Sequence, residues 1–315
     1  MYFNRLNTRY LIAILILSPI FLIFSCKNST KDNTKSTKDS LFLTTDTFAV
    51  ETDNSQLTSF RNFLQQLDSS KAESVSFAII EFKRTFEGKS AGLCDSAYIV
   101  LQEHIDTVEL KLNEKIQEDT TDYSAAYIQP KLQGIMDKLE ETLKKDGFQF
   151  TFSEGMFYIE QDRAFVTKNL LTMLTKPMQF YLIQIEKENR EGFTDNAGIE
   201  ITPRQHVDRI IWYEKFIAEN PNFLLLKNCR TYKKAYFTYL LNGIDQTYLF
   251  ENEKDMKLTP YFVQAYGYLL KTYPDSEAAT LVLPYKQAIE QKQKSVVQEL
   301  LKKYVIKGLI YSQGI

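Results

Sequence analysis

Thr202-Pro203-Arg204-Gln205-His206-Val207-Asp208-Arg209-Ile210-Ile211-Trp212-Tyr213-Glu214-Lys215-Phe216-Ile217-Ala218-Glu219 is the stretch that decides the fold. Thr202 offers a hydroxyl at the N-cap. Pro203 takes the first helical position, where a missing N–H is harmless, and Gln205 completes a capping box. The pattern predicts a helix running to about Glu219. Thr259-Pro260 repeats the opening. Its helix carries Phe262, Tyr266, Leu269, Leu270 and Tyr273 before Pro274-Asp275-Ser276 stops it and caps the next one. Between the two, a helix from about Leu225 to Asn242 ends at Gly243.

Toward the N-terminus the same three-and-four recurrence continues. Leu57, Phe60, Phe63, Leu64 and Leu67 form one stripe, and Val75, Ile79, Ile80, Phe82 and Phe86 a second. Leu93, Cys94, Ala97, Tyr98, Leu101 and Ile105 form a third, and Leu132, Ile135, Met136, Leu139 and Leu143 a fourth, closed by Asp146-Gly147. At Phe148, Phe150 and Phe152 the period drops to two, and Glu154-Gly155 offers a turn. The expected fold is therefore mostly α: antiparallel helical hairpins forming a degenerate α-solenoid, with a short extended or β-hairpin connector near 148–160. An N-terminal helical lobe would cover 56–147 and a C-terminal, repeat-like lobe 148–315. Phe165, Val166, Leu170, Leu171 and Leu174 restore a helix beyond the connector, and Met178 to Glu188 gives another.

Two segments align at an offset of 53 residues, with Tyr213 over Tyr266, Phe216 over Leu269 and Pro221 over Pro274. The ending Tyr273-Pro274-Asp275-Ser276-Glu277-Ala278-Ala279 resembles the helix-turn-helix junction of tetratricopeptide-type repeats, which implies a binding groove. The period departs from that family's 34, and the full small-large signature is missing. Residues 154 to 280 are similar to conserved bacterial proteins known only as hypothetical, from which no activity carries over.

At the other end, Arg5 and Arg9 precede an apolar run from Leu11 to Phe24 that stops at Ser25-Cys26. The run is too short for the roughly 20 apolar residues of a membrane span and reads as a secretory signal over 1–25. Ile23-Phe24-Ser25-Cys26 resembles the lipobox of bacterial lipoproteins, although Phe24 stands where that pattern has a small residue. The resemblance implies cleavage and acylation at Cys26. Two or more acyl chains would hold the protein on a membrane without spanning it, since each buried CH2 contributes about 0.8 kcal/mol. Lys27 to Thr47 is rich in Ser, Thr, Asn, Lys and Asp, a composition that cannot offset chain ordering. A flexible tether over 26–55 is expected, its first 20 residues spanning roughly 25 Å.

The 315 residues are 44% hydrophobic and 25% charged, with 38 Lys and Arg against 40 Asp and Glu, a formal net charge of −2. Loss of the two arginines in the signal turns −2 into −4. No basic field exists to attract nucleic acid. Eleven glycines leave no phosphate-cradling loop. His104 and His206 lie far apart and in no ligand spacing, so neither a metal nor another cofactor is expected. Cys94 and Cys229 are read as buried thiols, with a disulfide permitted but not required. Glu186, Glu188 and Glu191 read as solvated helix surface, as do Glu251, Glu253 and Asp255.

Aromatic richness is the one positive signal. Tyr232, Tyr236 and Tyr239 lie three and four apart on one helix face, Tyr266 sits on a later one, and Trp212 adjoins Tyr213. Such side chains suit an interface, having an apolar ring and, in tyrosine, a polar tip. The expectation is a non-catalytic cell-envelope lipoprotein, in the periplasm or at the surface and most readily on the outer membrane. Its helical body would bind another envelope protein through Trp212, Tyr232, Tyr236, Tyr239 and Tyr266. Two alternatives stay open: a glycan- or peptide-processing hydrolase using a carboxylate pair, and a solute-binding lipoprotein.

Overall fold

The computed structural model describes residues 46–119, 123, 133–153 and 156–312, with backbone alone at 46–54, 133, 135 and 153. The signal, Cys26 and most of the expected tether lie outside the described residues, as does the Glu154-Gly155 turn. Among the described residues the chain is mostly helical, with eleven α-helices and four small antiparallel strand pairs. None of these helices is long and apolar enough to cross a membrane.

Helices α1 (Asp46–Gln66), α2 (Glu73–Phe86) and α3 (Ala91–Glu118) pack on one another, and α1 starts within the stretch expected to be tether. Next come α4 (Gln133–Lys145) and the hairpin β1 (Phe148–Ser153) and β2 (Met156–Gln161), where the period-two pattern places it. Gly147 between them has φ +85°, and a Cβ there would lie 2.5 Å from the Phe165 ring, so only glycine fits.

The free edge of β2 is closed by a helix. Ile159 donates its N–H to Asn113 Oδ1 (2.9 Å), Asn113 Nδ2 donates to the Ile159 carbonyl (2.7 Å), and Gln161 N–H donates to Glu109 Oε2 (3.0 Å). The spacings match: four residues of helix rise about 6 Å, and two residues of strand about 6.6 Å. Two side chains one turn apart on α3 therefore meet alternate N–H groups of the strand.

The C-terminal part runs through α5 (Arg163–Leu170), a 3-10 turn (Leu171–Met173) and α6 (Lys176–Glu191). The hairpin of β3 (Thr194–Asp195) and β4 (Gly198–Ile199) leads to α7 (Pro203–Glu219) and α8 (Leu226–Asn242). Two further hairpins, β5 (Gly243–Ile244) with β6 (Thr247–Tyr248) and β7 (Phe250–Asn252) with β8 (Lys257–Leu258), precede α9 (Pro260–Thr272), α10 (Glu277–Glu290) and α11 (Lys294–Ile306). Asp95 of α3 joins the two parts by accepting the Thr175 N–H (3.0 Å) at the start of α6. The main hydrophobic core runs from Phe60 to Ile310, and Met136 and Phe157 form a small second cluster.

The predicted capping box at Thr202 forms, with Gln205 N–H donating to the Thr202 hydroxyl and Thr202 N–H to Gln205 Oε1. The second Thr-Pro opening differs: the Thr259 hydroxyl donates to the Tyr248 carbonyl and makes no cap bond. The small hairpins were not expected from sequence. In β3–β4 the two turn residues, Asn196 (φ 45°) and Ala197 (φ 58°), both take the left-handed region, as a two-residue type I′ turn requires. This hairpin docks on the next one through Gln246 N–H to the Ala197 carbonyl (2.8 Å) and Ile199 N–H to Thr247 Oγ1 (2.9 Å).

The tyrosine-rich interior has a physical reason. The last carbonyls of a helix lack intrahelical partners. Those of Leu240 and Leu241 at the end of α8 accept the buried hydroxyls of Tyr266 (2.9 Å) and Tyr285 (2.8 Å). Tyr266, singled out from sequence as a candidate interface residue, is fully buried, and its hydroxyl ends a helix. Conversely, Ile80, read as part of a core stripe, is 63% exposed. Cys94 and Cys229 are both free and buried.

Candidate functional site

Two cavities meet where α3 faces α6 and α8. The first, about 410 Å³, is lined by Tyr98, Gln102 and Asp106 of α3, by Arg163, by Tyr181 of α6 and by Tyr232 of α8, with Ile99, Leu110, Ile185 and Leu225 as apolar wall. The second, about 200 Å³, shares Arg163, Ile185 and Tyr232 and continues past Glu188, Phe193, Arg209, Tyr236 and Tyr239. Together they make up a cleft of two ends, and Arg163 lines both. A larger hollow of about 630 Å³ lies between the β5–β8 hairpins and α11, lined by exposed groups such as Tyr248, Glu251 and Lys294.

Each wall follows from helix spacing. On α3, Tyr98, Gln102, Asp106, Glu109 and Asn113 recur at three and four beside the apolar stripe, so one face carries a polar ladder. Tyr98 donates to Gln102 Oε1 (2.9 Å), and Gln102 Nε2 donates to Asp106 Oδ1 (2.7 Å) and to Gln161 Oε1 (2.8 Å). On α8, Asn228 and Tyr232 line the first cavity, and Tyr232, Tyr236 and Tyr239 the second. Arg163 enters as the first residue of α5, directly after the Asp162 cap.

The second cavity is backed by a closed network. Buried Glu188 accepts from Gln184 (2.6 Å), Tyr213 (3.0 Å) and Tyr236 (2.7 Å). Arg209, 3% exposed, donates to the Tyr236 hydroxyl (3.2 Å), to Glu191 (2.9 Å) and to the Gly192 carbonyl (2.7 Å). Its Nε has no hydrogen-bond partner among the described residues. Burial raises the Glu188 carboxyl above its usual range, opposed by Arg209 and by the three donors. His206, fully buried, contacts the Tyr236 carbonyl (2.8 Å) through Nε2 and the Tyr261 hydroxyl (3.2 Å) through Nδ1. A carbonyl only accepts, so Nε2 carries the proton and Nδ1 accepts from Tyr261. Burial first, and then Arg209, lower this imidazole to about 4, so it is neutral at pH 7.

The first cavity is electrostatically open. Among the described residues Arg163 forms no ion pair within 4 Å, and the Tyr98 and Tyr232 hydroxyls and the Asp106 and Glu109 carboxyls are its electrostatic neighbours. Burial opposes its charge, but Tyr98, Tyr232, Asp106 and Glu109 hold it firmly cationic. Burial also raises Asp106. Glu109, lying behind the wall, is pushed up to about 7 by burial, with Asp106 and Glu160 adding and Arg163 opposing. The Tyr232 hydroxyl makes no hydrogen bond to a described residue, while its ring stacks on Tyr213 at 5.6 Å.

Of the residues singled out from sequence, the structure brings Tyr232, Tyr236 and Tyr239 together on one cavity wall. Trp212 is half-buried elsewhere, stacked on Phe216 at 4.8 Å, and lines neither cavity. Tyr266 is core. The reading of Glu188 as solvated is corrected, since it is 8% exposed and carries three hydrogen bonds. Arg163, Arg209 and Asp106 were missed. A signal for Arg209 existed, because it interrupts the apolar stripe of Val207, Ile210 and Tyr213, and so did the polar ladder on α3. Nothing local marked Arg163. Among the described residues no group of three or more His, Cys, Asp or Glu is placed to hold a metal ion. The chain matches no protein-family model, no curated protein and no solved structure.

Proposed function

We propose that this chain is a cell-envelope lipoprotein, held by acylated Cys26 on a membrane, the outer membrane being the leading assignment. Its helical body acts as a non-catalytic binding module for another envelope protein, received in the cleft between α3 and α8. The body is a degenerate α-solenoid. Supporting this arrangement, α7 packs on both α8 and α9, α9 on α10, and α10 on α11, while Tyr213 and Tyr266, the aligned residues, are both fully buried.

The observation that carries the binding reading is the wall of Tyr232, Tyr236 and Tyr239 running on to a guanidinium with no carboxylate on it. Tyrosine rings and arginine are the groups that dominate recognition surfaces. The commitment of Glu188 to three donors makes it a fixture of that wall rather than a free acid. A second reading, capture of a small solute, draws on the first cavity, whose 410 Å³ falls in the range of small-molecule sites.

The test is photo-crosslinking from position 232 of the full chain in its native envelope, followed by purification. Recovery of one envelope protein above background is the expected result, and none would refute the module. Cys26→Ser should release the protein from membranes, and persistent attachment would refute the anchor.

A further inference from the structure

We infer that the first cavity, where Arg163 meets the apolar wall, is a carboxylate-reading site, whose ligand is the C-terminal residue of a partner polypeptide with an apolar side chain. The inference rests on the binding-module reading and names what that module recognises.

Two arginines share the cleft, and they differ in one respect. Arg209 is met by Glu191, the Gly192 carbonyl and the Tyr236 hydroxyl. Arg163 is half-buried with no comparable partner. A guanidinium withdrawn from water gains most from a planar, two-oxygen anion that it can pair with through parallel N–H bonds. The Tyr232 hydroxyl, unbonded on the same wall, adds a donor. Around these polar groups the cavity is apolar, with Ile99, Leu110, Ile185 and Leu225 available to a side chain adjacent to the anion. A carboxylate beside an apolar side chain is what a chain terminus presents. Phosphate fits less well than a carboxylate, because Asp106 and Glu103 line the same cavity and a second negative charge would add to theirs.

The test uses the full chain in detergent and N-acetylated hexapeptides ending in leucine or phenylalanine, each as the free acid and as the C-terminal amide, with affinity read by fluorescence anisotropy. The free acids should bind at least tenfold more tightly than the amides, and Arg163→Gln should erase that difference while Arg163→Lys keeps part of it. The acid-amide comparison is made on the unaltered protein, so it stands even where a variant fails to fold. Equal binding of acid and amide overturns the inference, as does a preference that survives Arg163→Gln. N-acetyl-leucine binding as tightly as the hexapeptides would make the site one for small carboxylates and also overturn it. If no hexapeptide binds while crosslinks from position 232 to an envelope protein persist, the inference fails and the binding module stands.

Discussion

The two ends of the cleft differ in how they treat charge. Around Glu188 and Arg209 every strong group but one is answered from within the chain, by Gln184, Tyr213, Tyr236, Glu191 and the Gly192 carbonyl. Around Arg163 the guanidinium has tyrosine hydroxyls and acids as electrostatic neighbours but no ion pair among the described residues. A buried ion pair is costly to break once built, because removing one partner strands the other in low dielectric. An unpaired, half-buried cation has little internal bonding to lose. The first end therefore holds the cleft in shape, and the second leaves interaction strength for something outside the chain.

The sharpest way to break this contrast is to truncate each arginine. Arg209→Ala should cost about 3–5 kcal/mol of unfolding free energy, leaving Glu188 without its cation. Arg163→Gln should cost under about 1 kcal/mol. Urea denaturation of the two variants decides it, and equal losses would mean that Arg163 is structural too.

Next in size is the clasp on β2. Asn113→Ala removes two bonds to the Ile159 backbone and should cost about 2–4 kcal/mol, at roughly 1–2 for each buried group left unpaired. Hydrogen exchange at the Ile159 amide should rise with it, and an unchanged rate would show that the edge is protected by other means.

The pH dependence of stability separates the ends again. Glu109 is raised from 4.5 to about 7, so folding takes up a proton there. The stability it brings is complete below pH 4.5 and is lost as pH rises through 7. His206 is depressed from 6.5 to about 4, so its contribution is complete above 6.5 and is lost as pH falls through 4. Glu109→Gln keeps an acceptor for the Gln161 N–H and should raise stability at pH 8 by on the order of 1–3 kcal/mol, with little change at pH 4. Thermal melts across that range would show it, and a uniform shift at all pH values would exclude Glu109 as the titrating group.

The smallest effects distinguish neighbouring tyrosines. Tyr236→Phe strips a hydrogen bond from both Glu188 and Arg209 and should cost about 1–3 kcal/mol. Tyr232→Phe, whose hydroxyl bonds to no described residue, should stay within about 0.5 kcal/mol of the parent. Denaturation midpoints that fell equally would erase the distinction between a tyrosine of the framework and one facing the cavity.

Much of the architecture was legible locally. The capping box at Thr202, the stop at Gly243 and the change of period at Phe148 depend on groups a few residues apart, so the chain states them without help from distant parts. The short hairpins escaped because turns such as Asn196-Ala197 have no long apolar alternation around them; their strands are two or three residues and are held by docking against each other. Ile80 was misplaced because a helical stripe defines a face about 100° wide, and only the neighbouring helices decide where its edge falls.

The cleft was legible in part. Three tyrosines of one wall share a helix, so their spacing announced a common face. Their roles did not follow, since the Tyr236 hydroxyl is engaged by Glu188, 48 residues earlier, and the Tyr266 ring is swallowed by the core. Spacing along a helix fixes which side chains point the same way, and the sequence alone settles that much here. Whether such a face meets solvent, core or a buried charge depends on which element packs against it. That is why the pairing of Glu188, the closure around Arg209 and the half-buried setting of Arg163 belong to the tertiary structure.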